Sequence, residues 1–200
     1  MTVPAKKRGR PRAFDPDVVL GRATELFLRQ GYAGASLEDL TRAMGLNKPS
    51  LYAAFGDKRE LFMRAVRQLS TARGKRYQAA FERGDSLESA IAEMLDEAVD
   101  VNLGDAPPGC LVVNVSTTEA LVDEELAKFT REFLSTTDRV LAQWIEAKYP
   151  PRGAVTSKTI AQMVNGIIHG ISVRARAGES KAKLREYARA AAAALAKAAE

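Results

Sequence analysis

The chain has 200 residues, of which 46% are hydrophobic and 28% charged, and its formal net charge is +5 at pH 7. A chain of this length can bury a full core, no apolar run approaches the ~18 residues of a membrane span, and no secretory signal is expected. The single cysteine excludes an internal disulfide framework and fits a cytoplasmic location. Helical periodicity recurs while strand signals are scarce, so the sequence predicts an all-α fold.

The positive charge is concentrated near the N-terminus. Residues 1–70 hold 13 Lys and Arg against 7 Asp and Glu, whereas residues 71–200 hold 17 against 18. Five of these cations lie in the segment KKRGRPR, in which Gly9 and Pro11 oppose helix formation. One interpretation is a disordered, solubilising tail. The other, which we favour, is an arm that binds a narrow minor groove of DNA through Arg8, Arg10 and Arg12.

The first helix is predicted to begin at Asp15-Pro16, an N-cap followed by the proline favoured in a first turn, and to end at Gly31. Two short helices joined by a tight turn follow. Ser36 is expected to cap the first and Asn47 the second, and Gly45 between them allows the chain to reverse. Apolar residues at helical spacing form the buried side of this pair, namely Leu37, Leu40, Met44, Leu51 and Phe55.

The polar residues at the start of the second short helix favour a helix-turn-helix over an ordinary helical hairpin with a glycine turn, the alternative for the local pattern. We expect three of them, Lys48, Ser50 and Tyr52, to face the major groove together with Pro49. The remaining residues assigned to DNA, with phosphate contact expected of the polar ones, are Ser36, Leu37, Arg42 and Lys58.

The stretch from Phe14 to Val66, with AxxLFLRQGYAGASLEDLTRAMGLNKPSLYAAFGDKRELF, resembles the DNA-binding domain of the tetracycline-repressor (TetR) family of bacterial transcription regulators. It departs from the family pattern at Pro49, where glycine is frequent, and at Ala54, where a histidine often contacts phosphate. The resemblance implies an N-terminal three-helix helix-turn-helix domain followed by a helical ligand-binding and dimerisation domain. We therefore divide the chain into an arm (1–13), a DNA-binding domain (14–70) and an effector-binding and dimerisation domain (71–200).

Further helices are predicted from Asp57 to about Phe81 and over the apolar stripe 87–101. A loop at 104–109 and a short element at 110–118 precede a long helix over 119–149, which Pro150-Pro151 ends. Helices over 155–177 and after the cap Ser180 complete the chain.

The resemblance implies that these last two helices pair with their copies in a homodimer. Gly166 and Gly170 lie on one helical face where another backbone could approach closely, and we assign Leu184, Ala191 and Leu195 to the same interface. The alternative is ordinary packing of small residues within one chain. A dimer is also needed physically, because one short recognition helix contacts few bases. Two copies of the DNA-binding domain on a palindromic site roughly double the number of base contacts.

The resemblance also implies an unknown small-molecule effector inside the second domain. The residues assigned to its pocket are Met94, Cys110, Asn114, Phe133, Trp144, Met163 and His169. The alternative for each aromatic or methionine is plain core, and for His169 a packing histidine. Cys110 opens a GCL segment, similar to a subgroup of the family in which some members respond to electrophiles or oxidants. A position near a helix N-terminus favours the reactive thiolate, whereas the alternative is a buried small hydrophobe.

No catalytic residue, metal-ligand spacing or phosphate-binding glycine loop is found, so we expect no enzyme and no cofactor. The sequence predicts a cytoplasmic, sequence-specific DNA-binding repressor, released from a palindromic operator by a small-molecule or thiol-reactive signal. The alternatives are a cysteine-dependent redox enzyme and a sequence-neutral architectural DNA-binding protein.

Overall fold

The computed structural model describes residues 14–200, and these form nine α-helices and one short 3-10 turn, with no strand. The arm with Arg8, Arg10 and Arg12 lies outside the described residues. The helices are α1 (Pro16–Gly34), α2 (Leu37–Met44), α3 (Lys48–Phe55), α4 (Lys58–Arg83), α5 (Leu87–Asn102), α6 (Leu111–Ser116), α7 (Glu124–Lys148), α8 (Ser157–Arg176) and α9 (Lys181–Ala199). The all-α expectation is confirmed. No helix in the described part has the length and apolar character needed to cross a membrane.

Short polar side chains fix where the N-terminal helices begin. The side chains of Asp15, Ser36 and Asn47 each accept a hydrogen bond from a backbone N–H of the first turn that follows. Asp57 and Glu60 form a reciprocal capping box at the start of α4. Each cap satisfies a donor that the helix leaves free, a contribution of about 1 kcal/mol.

The first hydrophobic core contains residues of the four helices α1, α2, α3 and α4, together with residues of α6 and of the start of α7. Phe27 packs edge-on against Phe62, with ring centroids 5.2 Å apart, and Tyr32 packs against the same ring at 5.1 Å. Leu111 of α6 and Leu126 of α7 are buried in this core. The helix-turn-helix is therefore packed directly against a part of the chain that follows it by some 50 residues or more.

The second core holds together the end of α4 with α5, the second half of α7, α8 and α9. Its buried members are mostly alanine and branched aliphatic residues, and Phe81 is the one large aromatic ring buried there among the described residues. Small side chains on α5 and α9 allow close helix packing. Ion pairs from Arg185 to Asp96 and Asp100 lie along the same contact.

One helix boundary differs from the sequence-based prediction. The long helix predicted from residue 119 is divided, because a 3-10 turn at Glu119–Leu121 ends before Asp123 and α7 begins only at Glu124. Asp123 is the N-cap, accepting hydrogen bonds from the N–H groups of Glu125 and Leu126. The break predicted at Gly31 is present, because its φ of 75° and ψ of 175° are non-helical and kink α1 there, although α1 resumes and continues to Gly34.

Candidate functional site

The turn between α2 and α3 has the geometry of a helix-turn-helix. Gly45 takes the left-handed conformation with φ 68°, and the next residue, Leu46, donates its N–H to Thr41 O at 3.0 Å. This pair of features is a glycine C-cap closed by a backbone hydrogen bond. Asn47 then accepts from the N–H of Ser50 at 2.8 Å, which starts α3 immediately. The short, doubly capped connection holds α3 at a fixed angle to α2.

One side of α3 faces solvent and the other is anchored. Lys48, Pro49 and Tyr52 are exposed, Tyr52 by 46%, and Ser50 is half-buried beside them. These are the four residues predicted to face the major groove, and they lie together at the start of the helix. The neighbouring Ala53 is also exposed, although its small apolar side chain gave no sequence signal.

The buried side of α3 rests on aromatic and charged supports. Leu51, Ala54 and Phe55 are buried, and the ring of Phe55 stacks on Phe14 with centroids 6.5 Å apart. Arg64 of α4 donates to Ala54 O at 3.0 Å. The guanidinium thus lies at the C-terminal end of α3, where a cation opposes the partial negative charge of the helix dipole.

The residues predicted to contact phosphate border this surface but are engaged within the chain. The Ser36 hydroxyl donates to Asp39 at 2.6 Å. Arg42 pairs with Glu38 at 3.1 Å and with Asp39 at 3.3 Å, and all three are at the surface. Since exposed ion pairs of this kind contribute little, exchange of these carboxylates for phosphate would cost little. Leu37 is half-buried and packs against the first core.

Lys58 is turned toward the end of α1. Its ammonium lies 4.6 Å from the Tyr32 ring centroid and donates to Ala33 O at 3.4 Å. Burial lowers the pKa of Lys58, against the opposing charge of Glu119. Burial likewise raises the pKa of Tyr32, and the charges of Asp123 and nearby carboxylates add to the rise.

A cavity of about 410 Å³ lies between α4, α5, α7 and α8, and the start of α6 contributes to its wall. Its wall is mostly apolar. The structure brings five of the seven predicted pocket residues to this wall: Met94, Cys110, Phe133, Trp144 and His169.

The other two predicted pocket residues do not line the cavity. Met163 lies on the outer face of α8 with 50% of its surface exposed, because the helix turns it away from the wall that carries His169. Asn114 is on α6, one turn beyond the cavity; the residue is half-buried, and its side-chain nitrogen is buried without a hydrogen-bond partner. Both assignments are therefore corrected.

Cys110 and His169 both line the cavity, and each shifts the pKa of the other. Burial acts to raise the pKa of the Cys110 thiol, but the hydrogen bond and charge of His169, with the N–H groups of Val113 and Val112, lower it overall. Burial acts to lower the pKa of His169, and the hydrogen bond and charge of Cys110 raise it overall. The two shifts favour a thiolate beside an imidazolium.

Sequence reasoning missed several polar residues of the cavity wall, among them Arg73 and Tyr77. Arg73 donates to Gly109 O at 3.0 Å, and burial raises the pKa of Tyr77 to about 12. Both lie on the second half of α4, where the sequence shows only an ordinary helix. Their position depends on how α4 crosses α5 and α8, which local sequence does not encode.

The predicted dimer residues divide into two groups. Gly166 is exposed with open space around its Cα, Gly170 is partly covered by Tyr187, and Ala191 is half-buried. Leu184 and Leu195 are buried in the second core of their own chain and are unavailable to a partner, so these two assignments are corrected. Met163 and Val173 of α8 are exposed apolar residues as well.

Similarity to known proteins covers the DNA-binding domain and most of the rest of the chain. The family described as bacterial regulatory proteins, tetR family, matches residues 19–65, from α1 into α4. The HTH-type transcriptional repressor ComR of Escherichia coli (strain K12) is 35% identical over 191 residues, which cover 92% of this chain and 90% of ComR. The HTH-type transcriptional repressor BdcR of the same organism is 26% identical over 175 residues, or 86% of this chain and 84% of BdcR.

A solved structure agrees with both. A cysteine mutant of the TetR family transcriptional regulator CifR, complexed with a 26-base-pair operator duplex, is 31% identical and superposes with a TM-score of 0.82, covering 92% of this chain and 99% of CifR. Among the described residues, no group of three or more His, Cys, Asp or Glu side chains could hold a metal ion. The capped helix-turn-helix, the cavity-bearing helical domain and the near full-length similarity lead to one conclusion: the chain belongs to the TetR family of bacterial transcription regulators.

Proposed function

We propose that this protein is a homodimeric repressor that binds a palindromic operator and leaves it when a small molecule or a thiol reagent enters the cavity. The observation that carries the proposal is the exposed start of α3, where Lys48, Pro49, Ser50 and Tyr52 form one surface on a rigid support. This is the position from which a recognition helix reaches base edges. ComR and BdcR, named as repressors, support the direction of control.

Phosphate contacts complete the proposed DNA surface. Ser36 and Arg42 lie at the two ends of α2, and Lys58 lies in the first turn of α4. The basic arm with Arg8, Arg10 and Arg12 would reach the adjacent minor groove. Each phosphate neutralised releases counterions, so we expect operator affinity to fall steeply with salt.

Dimerisation through α8 and α9 supplies a second copy of the helix-turn-helix domain, which we call the reading head. Gly166 and the exposed Met163 and Val173 on α8 present an apolar face, and Ala190 and Ala194 on α9 are exposed too. Small residues let two copies approach closely, while the larger ones supply apolar area to bury. Two heads related by a two-fold axis require two half-sites, and hence a palindrome.

The cavity is the proposed effector site. Its volume of about 410 Å³ falls in the range of small-molecule pockets, and an apolar wall with few polar groups is typical of them. Cys110 and His169 give the site a second mode of response, in which an electrophile reacts with the thiolate. Either ligand acts only by preferring one position of the heads over another.

Selection of bound duplexes from a random pool tests the proposal. We expect an enriched sequence made of two inverted half-sites, which reports specificity and dimerisation together. A pool that emerges unenriched would indicate sequence-neutral DNA binding, and a single unpaired motif would contradict the dimer. We also infer that the protein works in the cytoplasm, where bacterial operators lie, and has no reaction of its own.

A further inference from the structure

The side chain of Arg176 joins the last turn of α8 to the DNA-binding half of the molecule. Its Nη1 donates to Leu28 O at 2.7 Å and its Nη2 donates to Arg29 O at 3.2 Å. Both acceptors belong to α1, almost 150 residues earlier in the chain. One guanidinium therefore ties a helix of the cavity wall to the helix that supports α2 and α3.

The kink in α1 explains why these carbonyls accept from outside the helix. Gly31 has φ 75° and leaves helical geometry directly after the turn that contains Leu28 and Arg29. Carbonyls in the last turn of a helical segment have no donor within it and carry its partial negative charge. A planar cation that donates to two of them at once satisfies both needs.

Gly109 lies directly against the same guanidinium. A Cβ at this position would lie 3.2 Å from the Nη1 of Arg176, and its φ of 133° disfavours any side chain. The peptide is held from two further sides: its N–H donates to the buried Asn102 at 3.1 Å, and its carbonyl accepts from Arg73 at 3.0 Å. Arg176 thus packs on a loop whose position is fixed by α5 and α4.

Both sides of this contact continue into the cavity. Cys110, the residue after Gly109, lines it, as does Arg73. His169 also lines it and precedes Arg176 by about two turns of α8. A molecule that displaces the Cys110–His169 pair consequently shifts the loop or the helix on which Arg176 depends.

We propose that Arg176 couples cavity occupancy to the reading head: with the cavity empty it clamps α8 to the end of α1 in the operator-binding arrangement, and a shift of Gly109 and Cys110 releases the clamp. This inference rests on the proposed effector function of the cavity. Release frees the head to take other orientations, and operator affinity falls in proportion to the population that remains competent. An allosteric coupling of ordinary size corresponds to about fivefold or more in affinity.

A double-mutant cycle on operator affinity tests the clamp without any effector. Gly109→Ala places a methyl group against Arg176 and so imitates the displaced loop, while Arg176→Ala removes the clamp. We expect each single variant to bind the selected operator at least about fivefold more weakly, and the double variant to bind no more weakly than the weaker single one. Effects that multiply, or an Arg176→Ala protein that binds as the wild type does, would overturn the proposal.

Two controls separate coupling from folding. Arg174→Ala removes a neighbouring arginine of α8, which pairs with Glu179 at 3.1 Å and makes no hydrogen bond or ion pair with the described residues of α1, and we expect wild-type operator binding. Arg176→Lys keeps the charge but cannot bridge two carbonyls, so it should fall between wild type and alanine. If Gly109→Ala does not fold, as thermal unfolding will show, Arg176→Ala and Arg176→Lys decide the matter through their operator affinities alone.

N-ethylmaleimide distinguishes failure of this inference from failure of the proposed effector function. We expect alkylation of Cys110 to weaken operator binding of the wild type and of Arg174→Ala, but to change that of Arg176→Ala by less than about twofold, because the clamp is already absent. A wild type that is alkylated without losing affinity refutes the thiol response alone, and the mutant cycle still decides the clamp. An Arg176→Ala protein that loses as many fold as the wild type refutes the clamp.

Discussion

The two hydrophobic cores of the molecule differ in the side chains that fill them. The first, beneath the helix-turn-helix, is locked by aromatic rings such as Phe27, Phe55 and Phe62, all nearly inaccessible to solvent. The second is built largely from alanine and branched aliphatic residues, and its aromatic Trp144 is only partly buried beside the cavity. The interlocking rings of the first core allow a single packing arrangement, whereas the second core, which borders a cavity, can repack around a bound small molecule. The difference separates a rigid reader from an adaptable receptor.

The largest expected effect comes from cutting into the first core. Phe62→Ala should lower the free energy of unfolding by about 3–5 kcal/mol, because it removes a fully buried ring that contacts two others. The matched change in the second core, Trp144→Ala, deletes a partly buried ring already facing the cavity and should cost about 1–2 kcal/mol. Denaturant unfolding of both variants measures the contrast. Equal losses would mean that the two regions are equally rigid.

The next effect isolates reading from folding. Tyr52→Ala should weaken operator binding by about 1–3 kcal/mol, as for a residue in direct contact, while its 46% exposure leaves the unfolding free energy within about 0.5 kcal/mol. Fluorescence anisotropy with a labelled operator measures the first quantity. Lys75→Ala, an exposed change on α4 away from the DNA surface, is the control. An unchanged affinity for Tyr52→Ala would remove this residue from the interface.

A smaller effect concerns the seam between the two regions, where Asp123 caps α7 and pairs with Arg59 at 3.2 Å. Asp123→Ala should cost about 1 kcal/mol of stability through the lost cap, whereas Asp123→Asn keeps the cap and should cost less, since the pair is partly exposed. Hydrogen bonds from the N–H of Leu126, with Arg59, lower the pKa of Asp123. Its contribution is therefore present above the ordinary aspartate pKa and disappears as the pH falls through the lowered value.

The last effect is one of pH dependence rather than of stability. Because the pKa of Cys110 is lowered, its thiolate forms at a lower pH than that of an ordinary thiol, and the pKa of His169 is raised in turn. The thiolate is lost as falling pH protonates it, and the imidazolium is lost as rising pH deprotonates it. The rate of Cys110 alkylation should therefore rise with pH and level off below the ordinary thiol pKa of about 8.5. His169→Gln should move that inflection to higher pH; mass spectrometry over a pH series follows both, and coincident curves would refute the pair.

Local chemistry explains which features the sequence could predict. The caps at Ser36 and Asn47 and the left-handed turn at Gly45 act within a few residues, so their pattern is legible in the chain. Asp123 was harder to recognise as a helix start, because it stands in a run of acidic residues that equally suits a solvated helix face.

Features that depend on distant packing could not be predicted. Leu184 and Leu195 follow a helical spacing that fits either a dimer interface or the core of their own chain. They are buried in the core because α5 packs against α9, which the sequence does not reveal. Met163 and His169 lie on one helix, and the crossing angle of that helix determines which one faces the cavity. The contact of Arg176 with α1 joins segments with no local relation at all.

Helix α4 runs without a break from the capped turn behind α3 to the far side of the cavity, a single rod of 26 residues. At the usual rise per residue its length is roughly 39 Å. Pivoting such a rod by about 5° at its cavity end carries the other end through about 3 Å, close to the 3.4 Å that separates successive base pairs. A small shift at the cavity end of α4 would then displace one reading head by about one base pair along the double helix relative to the other.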